Sequence, residues 1–412
     1  MDQSGTKLGT MTNTTVRDVP APARGLTRGL LLLMSVATGL SVAGNYFAQP
    51  LLDLFRHELN LGPAMAVLIV TAAQVGYALG LLLLVPLGDL RERRGLAVGL
   101  FGATAVFLMV SAAAVNPLML FVGTALTALT SVAAQVIVPF AVTLAAPAER
   151  GRVIGTVMSG LLVGSLLART ASGGLAELGG WRTVYWVNAL LMALVALLLW
   201  RRLPTLYTPV ALSYPALLRS TASLLRTEPV LRRRAAMGAL GLGSFNMFWT
   251  AVTFLLAGRY GWGEAAIGLL GLIGIAGAVA TPYAGRLADR GHVQRLTGLA
   301  AAGLTVAWLP LLLGSRSLAW LIVGAVALNV AQSVLLNANQ NVIYALNPDI
   351  RNRLNSAFMT SFFVGGAAGS ALTAALWPRW GWPGITLIGA TLAAATFTLW
   401  LTDRRPPRPN AK

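Results

Sequence analysis

Twelve apolar runs, most of about 20 residues, follow one another along the chain and decide what it can fold into. They occupy 28–50, 64–87, 96–115, 117–145, 153–176, 183–200, 235–257, 264–284, 295–314, 318–346, 354–377 and 383–401. A helix of roughly 20 apolar residues covers the hydrocarbon core of a bilayer. Lipid offers the backbone no hydrogen bonds, so a spanning segment is a helix or a strand of a closed barrel, and these runs lack a strand's polar alternation. The expected fold is an all-α membrane protein with twelve transmembrane helices. At 56% hydrophobic residues and a mean hydropathy of +0.71, the composition agrees.

Charge reports orientation rather than a partner. With the N-terminus in the cytoplasm, 25 of the 31 Lys and Arg residues fall in cytoplasmic tails and loops and 5 in the opposite loops. That asymmetry places both termini in the cytoplasm. The net charge of +18 is spread over alternate loops, so it does not form a nucleic-acid patch. The chain has no Cys and two His, His57 and His292, both in predicted loops, which leaves no set for a metal or an iron–sulfur cluster. No cofactor is expected. The first run is too long for a signal-peptide core and should stay as a helix.

The halves repeat at an offset of 200 or 201 residues. Asn45 falls on Asn246, Phe47 on Phe248, Asp89 on Asp289, Pro147 on Pro348, Arg150 and Arg152 on Arg351 and Arg353, and Gly180-Trp181 on Gly381-Trp382. Two six-helix halves of the same orientation form a parallel repeat about an axis along the membrane normal. The expected organisation is a disordered cytoplasmic tail at 1–25, an N-terminal half at 26–200, a cytoplasmic linker with a short interfacial helix at 201–234, a C-terminal half at 235–401 and a tail at 402–412.

Polar residues recur at helical spacing in every third run. Thr38, Ser41, Asn45 and Gln49 share a stripe in the first. Thr124, Thr127, Ser131 and Gln135 share one in the fourth, and Asn246, Trp249, Thr250 and Thr253 one in the seventh. Asn329, Ser333, Asn337, Gln340 and Tyr344 share one in the tenth. Amides are unfavourable against lipid, so the stripes face one another or a water-filled cavity, with Gln74 and Tyr77 at its rim. Runs three, six, nine and twelve are nearly all Ala, Leu, Val and Gly and face lipid. Glycines crowd the fifth, eighth and eleventh runs, and two readings stand: tight static packing, or a moving interface.

Arg169 is the single embedded charge. It requires a partner, with Asp53 and Glu177 as candidates, or an anionic ligand, and both readings stand. The 13 acidic residues fall in tails, loops or span ends. A site without negative charge favours a neutral or anionic solute over a cation. No thiol, embedded His or paired carboxylate is placed for general acid–base chemistry, and no phosphate-cradling loop supports ATP-driven pumping, so the chain is not expected to be an enzyme.

Two loops concentrate the scarce charge: Gly88-Asp89-Leu90-Arg91-Glu92-Arg93-Arg94-Gly95 and its echo Gly285-Arg286-Leu287-Ala288-Asp289-Arg290-Gly291. One alone reads as a solvated turn. With Asn45-Tyr46-Phe47-Ala48-Gln49-Pro50, Gly180-Trp181-Arg182 and the run from Asn339-Gln340 through Arg353 to Asn355, they make the chain resemble the major facilitator superfamily over about residues 26–401, and within it bacterial twelve-span drug- and sugar-efflux-type permeases. The resemblance implies that Asp89, Arg93, Arg94, Asp289 and Arg290 gate the cytoplasmic side. The chain departs from the family at Val85, Leu90 and Glu92 in the first loop. Thr127 stands where efflux members often carry a proton-linked Arg, and Ser165, Ala168 and Arg169 replace residues of the antiporter pattern. These departures set it apart from standard proton antiporters.

The sequence is therefore read as a secondary active transporter of a bacterial inner membrane, exporting a small neutral or anionic solute by alternating access. Its expected binding residues are Asn45, Tyr46, Gln49, Gln74, Tyr77, Gln135, Arg169, Asn246, Trp249, Asn337, Gln340 and Tyr344. The expected partners are that solute, the bilayer and, as a candidate coupling ion, a proton; the expected state is a monomer. A proton-coupled multidrug exporter and a non-transporting receptor or scaffold of the same fold are the alternatives.

Overall fold

The computed structural model describes residues 26–146, 149–205, 213–347 and 350–403. The expected tails at 1–25 and beyond 403, the middle of the linker, Pro147 and Pro348 lie outside the described residues, as do the side chains of Asp89 and Asp289. Among the described residues the chain is all helix. The N-terminal half comprises α1 (Arg28–Ala43), the short α2 (Leu52–Glu58), α3 (Pro63–Leu83), α4 (Arg93–Ala112), α5 (Pro117–Thr130), α6 (Ala133–Leu144) and α7 (Arg150–Arg202). A linker helix, α8 (Tyr214–Thr227), precedes α9 (Pro229–Tyr260), α10 (Glu264–Leu269), α11 (Gly274–Leu287), α12 (Val293–Val306), α13 (Trp308–Leu312), α14 (Leu318–Leu346) and α15 (Arg351–Thr402).

Nine helical segments among the described residues are long and apolar enough to cross a membrane, and α1 is a shorter apolar helix. Two of the nine hold two spans each. α7 folds back at Gly180 (φ 75°) and α15 at Gly381 (φ 51°), the repeated Gly-Trp pairs. A left-handed residue is open to Gly at little steric cost, and it lets one helix reverse into the next. The following Trp pins each corner. Trp181 Nε1 donates to Glu58 Oε2 at 2.8 Å, and Trp382 Nε1 to the Leu311 carbonyl at 2.7 Å. Twelve spans result, as the hydropathy pattern requires.

Several spans are less regular than their apolar runs suggest. The first ends as an α-helix at Ala43; its backbone tightens into i to i+3 turns, with Tyr46 N donating to the Ala43 carbonyl at 2.9 Å. The fourth breaks between α5 and α6. There the Ser41 hydroxyl donates to the Ser131 carbonyl and accepts from Ala134 N at 3.2 Å, so a side chain replaces the interrupted ladder. The eighth tightens between α10 and α11 at its glycines. The seventh starts earlier than expected, at Pro229, which moves Arg232, Arg233 and Arg234 out of the linker and into α9.

Each half is built around one glycine crossing. Gly39 of α1 meets Gly160 and Gly164 of α7, and Gly243 of α9 meets Gly365 and Gly369 of α15. A methyl group at Gly164 would fall on the Gly39 carbonyl, and one at Gly369 on the Gly243 carbonyl. These glycines of the fifth and eleventh spans thus serve tight packing within a half. The glycines of the eighth span do otherwise: Gly268 and Gly271 lie against Arg169 of the opposite half.

Separate apolar cores fill the two halves, and a third cluster joins them. In that third cluster Tyr77 of α3 meets Phe363 of α15 at 4.4 Å between ring centroids, while Ser356 Oγ donates to the Leu81 carbonyl at 2.9 Å. α8 straddles the same end of the molecule. Its Tyr214 hydroxyl donates to the Leu83 carbonyl at 2.7 Å, and Arg353 of α15 donates to Ser220 Oγ at 3.3 Å. This is the linker end of the molecule, and the opposite one is the far end.

One buried ion pair closes the C-terminal half. Arg234 is 3% exposed and meets Asp403 Oδ2 at 2.8 Å, Gln294 Oε1 at 2.7 Å and Thr297 Oγ1 at 3.0 Å. It ties α9 and α12 to the residue that ends α15. A buried charge stripped of its partner is strongly destabilising.

Two outcomes are expected in unfolding measurements on the detergent-solubilised protein. Gly164→Val should destabilise by about 1–3 kcal/mol through forced separation of α1 and α7, whereas Gly155→Val, where nothing lies within 4 Å, should leave the unfolding temperature unchanged. Arg234→Met should cost about 1.5–3 kcal/mol, because Asp403 loses one charged hydrogen bond but keeps Arg233 at 3.3 Å, and adding Arg233→Met should deepen the loss because the carboxylate is then unpaired.

Candidate functional site

The stripes divide into two sets. The first lines a cavity of about 620 Å³ lying between the halves on the linker side. α14 contributes Ser333, Asn337, Gln340 and Tyr344, residues three, four and seven apart that share one face. Gln135 enters from α6, and Arg93, at the start of α4, stands at the cavity's edge. The size suits a small organic solute. Its polar groups are partly engaged with one another. The Tyr344 hydroxyl donates to Asn355 Oδ1 at 2.9 Å, Asn341 Nδ2 donates to Asn337 Oδ1 at 2.9 Å, and Gln340 Nε2 lies 3.8 Å from the Met359 sulfur.

Three guanidinium groups, those of Arg93, Arg351 and Arg353, border this cavity, and among the described residues no carboxylate does. Clefts lined by one sign of charge concentrate solutes of the other sign. The sequence shows why these arginines are present: Arg351 and Arg353 are the repeat partners of Arg150 and Arg152. What spacing alone does not reveal is that the C-terminal pair turns to the cavity, with Arg351 Nε donating to the Tyr344 carbonyl at 2.9 Å.

The second set is buried toward the far end. Arg169, 6% exposed, points its guanidinium between two rings, 4.4 Å from the centre of Tyr46 and 4.2 Å from that of Trp249. Its Nε donates to Gln49 Oε1 at 2.8 Å. Neither carboxylate named as its candidate partner reaches it. Asp53 is held by Arg56 at 2.8 Å, and no ion pair to Glu177 forms among the described residues. The ion-pair expectation is therefore replaced by two aromatic faces and an amide. Asn45, Gln74 and Asn246 are buried nearby in sequence on the same stripes or the neighbouring span, each with amide atoms lacking a protein partner. Tyr77 is buried under Phe363 and within hydrogen-bonding reach of Gln135.

This second set closes the far end because its contacts cross between halves. Arg169 belongs to α7 and Trp249 to α9. Thr253 Oγ1 of α9 donates to the Gln49 carbonyl at 3.0 Å, and Thr170 Oγ1 of α7 donates to the Gly268 carbonyl at 3.0 Å. Arg56 lies 5.7 Å from the Phe254 ring centre. α7 packs along α10 here and parts from α11 toward the linker end. On the side where α7 faces α10 and α11 the molecule is thus shut at the far end and hollow toward the linker end, while α3 and α15 still join the halves there. Trp249 and Thr253 were legible as a stripe, but the pairing of the one with Arg169 and of the other with Gln49, 204 positions earlier, was not.

The loop residues are placed as follows. Glu92, which departs from the family pattern, caps α4: its carboxylate accepts from Arg94 N at 2.7 Å and Gly95 N at 2.6 Å. Arg93 donates to the Gly88 carbonyl at 3.3 Å and to Thr143 Oγ1 at 2.9 Å, and Arg94 donates to the Trp200 carbonyl. Both bind within their own half. Arg290 is exposed at the linker end.

The sequence profile of the Major Facilitator Superfamily matches residues 34–320 and 278–412. The chain is 47% identical over 380 residues to the uncharacterized transporter YgaY of Escherichia coli O157:H7, covering 92% of this chain and 96% of that one. It is 30% identical over 393 residues to the probable transporter SCO4007 of Streptomyces coelicolor, covering 94% and 90%. Among solved structures, a bacterial homologue of the human lysosomal transporter Spinster superposes with a TM-score of 0.72 at 16% identity, over 92% of this chain and 98% of that one. The human organic anion transporter MFSD10 gives 0.68 at 19%, over 91% and 100%. With its profile matched over most of its length, its paired six-helix halves and its cavity between them, the chain belongs to the major facilitator superfamily and is a membrane transporter.

Proposed function

We propose that this protein is a secondary active transporter that moves a small neutral or anionic solute by alternating access. The observation that carries the reading is the cavity between two repeated halves, closed by cross-half contacts at the far end and hollow toward the linker end. A carrier that rocks about a central site has two such end states, and this is one of them. The charge asymmetry of the loops assigns the linker end to the cytoplasm, so the state is inward-facing and both termini are cytoplasmic. The bacterial relatives support a place in the inner membrane, and the family resemblance supports export as the direction.

The solute's charge follows from the lining. Asn337, Gln340, Tyr344 and Gln135 offer neutral hydrogen bonds, while Arg93, Arg351 and Arg353 make the approach positive. A cation entering there meets three like charges. Among the described residues no carboxylate lines the cavity, so the reading includes no carboxylate proton relay within it. The cavity is enclosed by one chain and needs no second copy, which supports a monomer as the working unit. In the opposite state Arg169 would leave Trp249, the far end would open, and α7 would close on α11.

The chain contains no cysteine, so spin labels can be placed without removing native thiols. Ile154→Cys with Tyr283→Cys reads the linker end of α7 and α11, and Leu178→Cys with Arg259→Cys reads the far end. All four positions are exposed. On adding solute or changing pH, the first distance should shorten as the second lengthens. Two fixed distances under every condition would remove alternating access.

A further inference from the structure

Three of the groups left without protein partners around Arg169 can only donate, a property that transport by itself does not explain. Arg169 Nη2, Trp249 Nε1 and Gln49 Nε2 are each buried with no hydrogen-bond partner in the protein. Guanidinium and indole nitrogens carry no acceptor. The orientation of Gln49 is fixed because its Oε1 already accepts from Arg169 Nε at 2.8 Å. The indole of Trp249 lies against the guanidinium, 4.2 Å from its carbon to the ring centre. Two of these donors thus belong to side chains that touch Arg169, the third is its own, and all three lack an acceptor from the protein.

The surroundings fit a ligand of matching chemistry. A buried cation is unfavourable by several kcal/mol unless paired, and two aromatic faces, at about 2 kcal/mol or more each when desolvated, offset part of that while leaving the net charge in place. One guanidinium balances one negative charge. A planar fork meets a carboxylate through parallel hydrogen bonds, whereas a phosphate dianion would bring a second charge that nothing here neutralises. Tyr46 and Trp249 supply apolar walls beside the donors. Gly268 of α10 leaves room for the Arg169 backbone, and Gly271, just beyond α10, for its side chain. Arg169 sits seven residues, about 10 Å of helix, beyond Leu162, which lines the open cavity.

We propose that the Arg169 cage is the subsite for the carboxylate of the transported solute, a monocarboxylate with an apolar or aromatic body. The carboxylate oxygens accept from Arg169 Nη2, Trp249 Nε1 and Gln49 Nε2, and the body packs on the faces of Tyr46 and Trp249. This rests on the transporter reading and narrows it.

The test uses the purified full-length protein and three probes of one shape: benzoate, benzamide and benzylammonium, followed by calorimetric titration and thermal unfolding. Benzoate should bind and stabilise, while the neutral and cationic probes should not. Arg169→Met should weaken benzoate at least about 30-fold, the loss expected when one member of a buried charge pair is truncated. Gln49→Glu provides an arm that needs no ligand and does not rely on Arg169→Met folding. By supplying an internal carboxylate it should raise the unfolding temperature and abolish the benzoate response. Equal binding of benzamide, unchanged benzoate affinity in Arg169→Met, or a lowered unfolding temperature in Gln49→Glu would each overturn the assignment. Spin-label distances that move without any benzoate binding leave transport standing and remove the carboxylate. Benzoate binding at fixed distances does the reverse.

Discussion

The two glycine crossings hold everything else in place. Between helices in a bilayer there is no hydrophobic effect to draw them together, because lipid tails are as apolar as leucine, so close approach of backbones must supply the attraction. Gly39 on Gly160 and Gly164, and Gly243 on Gly365 and Gly369, bring α1 onto α7 and α9 onto α15. α7 and α9 carry Arg169, Trp249 and Thr253, and the turns that follow α1 carry Tyr46 and Gln49. With α1 and α9 fixed to their own halves, the polar stripes they bear are fixed too, and a relative motion of the halves moves stripes past one another as rigid sets.

A second constraint shapes the helices themselves. Every break in a lipid-embedded ladder frees backbone groups that have no water to turn to. The break between α5 and α6 is tolerated because Ser41 both donates to the Ser131 carbonyl and accepts from Ala134 N. Ser41 is therefore part of the backbone of another span, although its place in a polar stripe suggested a cavity role. The corner glycines solve the same problem by geometry, since Gly180 and Gly381 allow reversal while the ladder resumes on either side.

How much of this was legible follows from what a linear pattern records. Hydropathy records burial in lipid, so the twelve spans and the all-helical class could be read directly. Helical spacing records which residues of one helix share a face, and of the Asn329–Tyr344 stripe of α14 four residues line the cavity while Asn329 bonds back to the Ala325 carbonyl. Neither records which helix a face meets. Gly160 and Gly164 looked the same as Gly268 and Gly271, yet the first pair packs within a half and the second across the interface. Arg234 was assigned to the linker because its neighbours Arg232 and Arg233 are charged, but the helix starts at Pro229 and Asp403, 169 residues later, receives it. Arg169 was found as an embedded charge because a polar group in an apolar run stands out. Its partners were misjudged because opposite charge was sought where aromatic faces were the answer.

The use of aromatic faces has a consequence for selectivity. A carboxylate partner would have locked Arg169 into a permanent pair and left the path neutral. Tyr46 and Trp249 stabilise the cation only in part, so its field persists where the two halves meet. A second positive charge brought to about 5 Å would be opposed by about 3 kcal/mol at an effective dielectric of 20, roughly a hundredfold in affinity. A neutral solute would meet neither this penalty nor the matching gain, and an anion would receive the gain. Arginine suits that role better than lysine. Its planar group can lie flat between two rings and still present Nη2 along its edge, where an ammonium would need its whole hydration shell replaced. The same geometry that closes the far end thus leaves Nη2, on the edge of the guanidinium, without a protein partner.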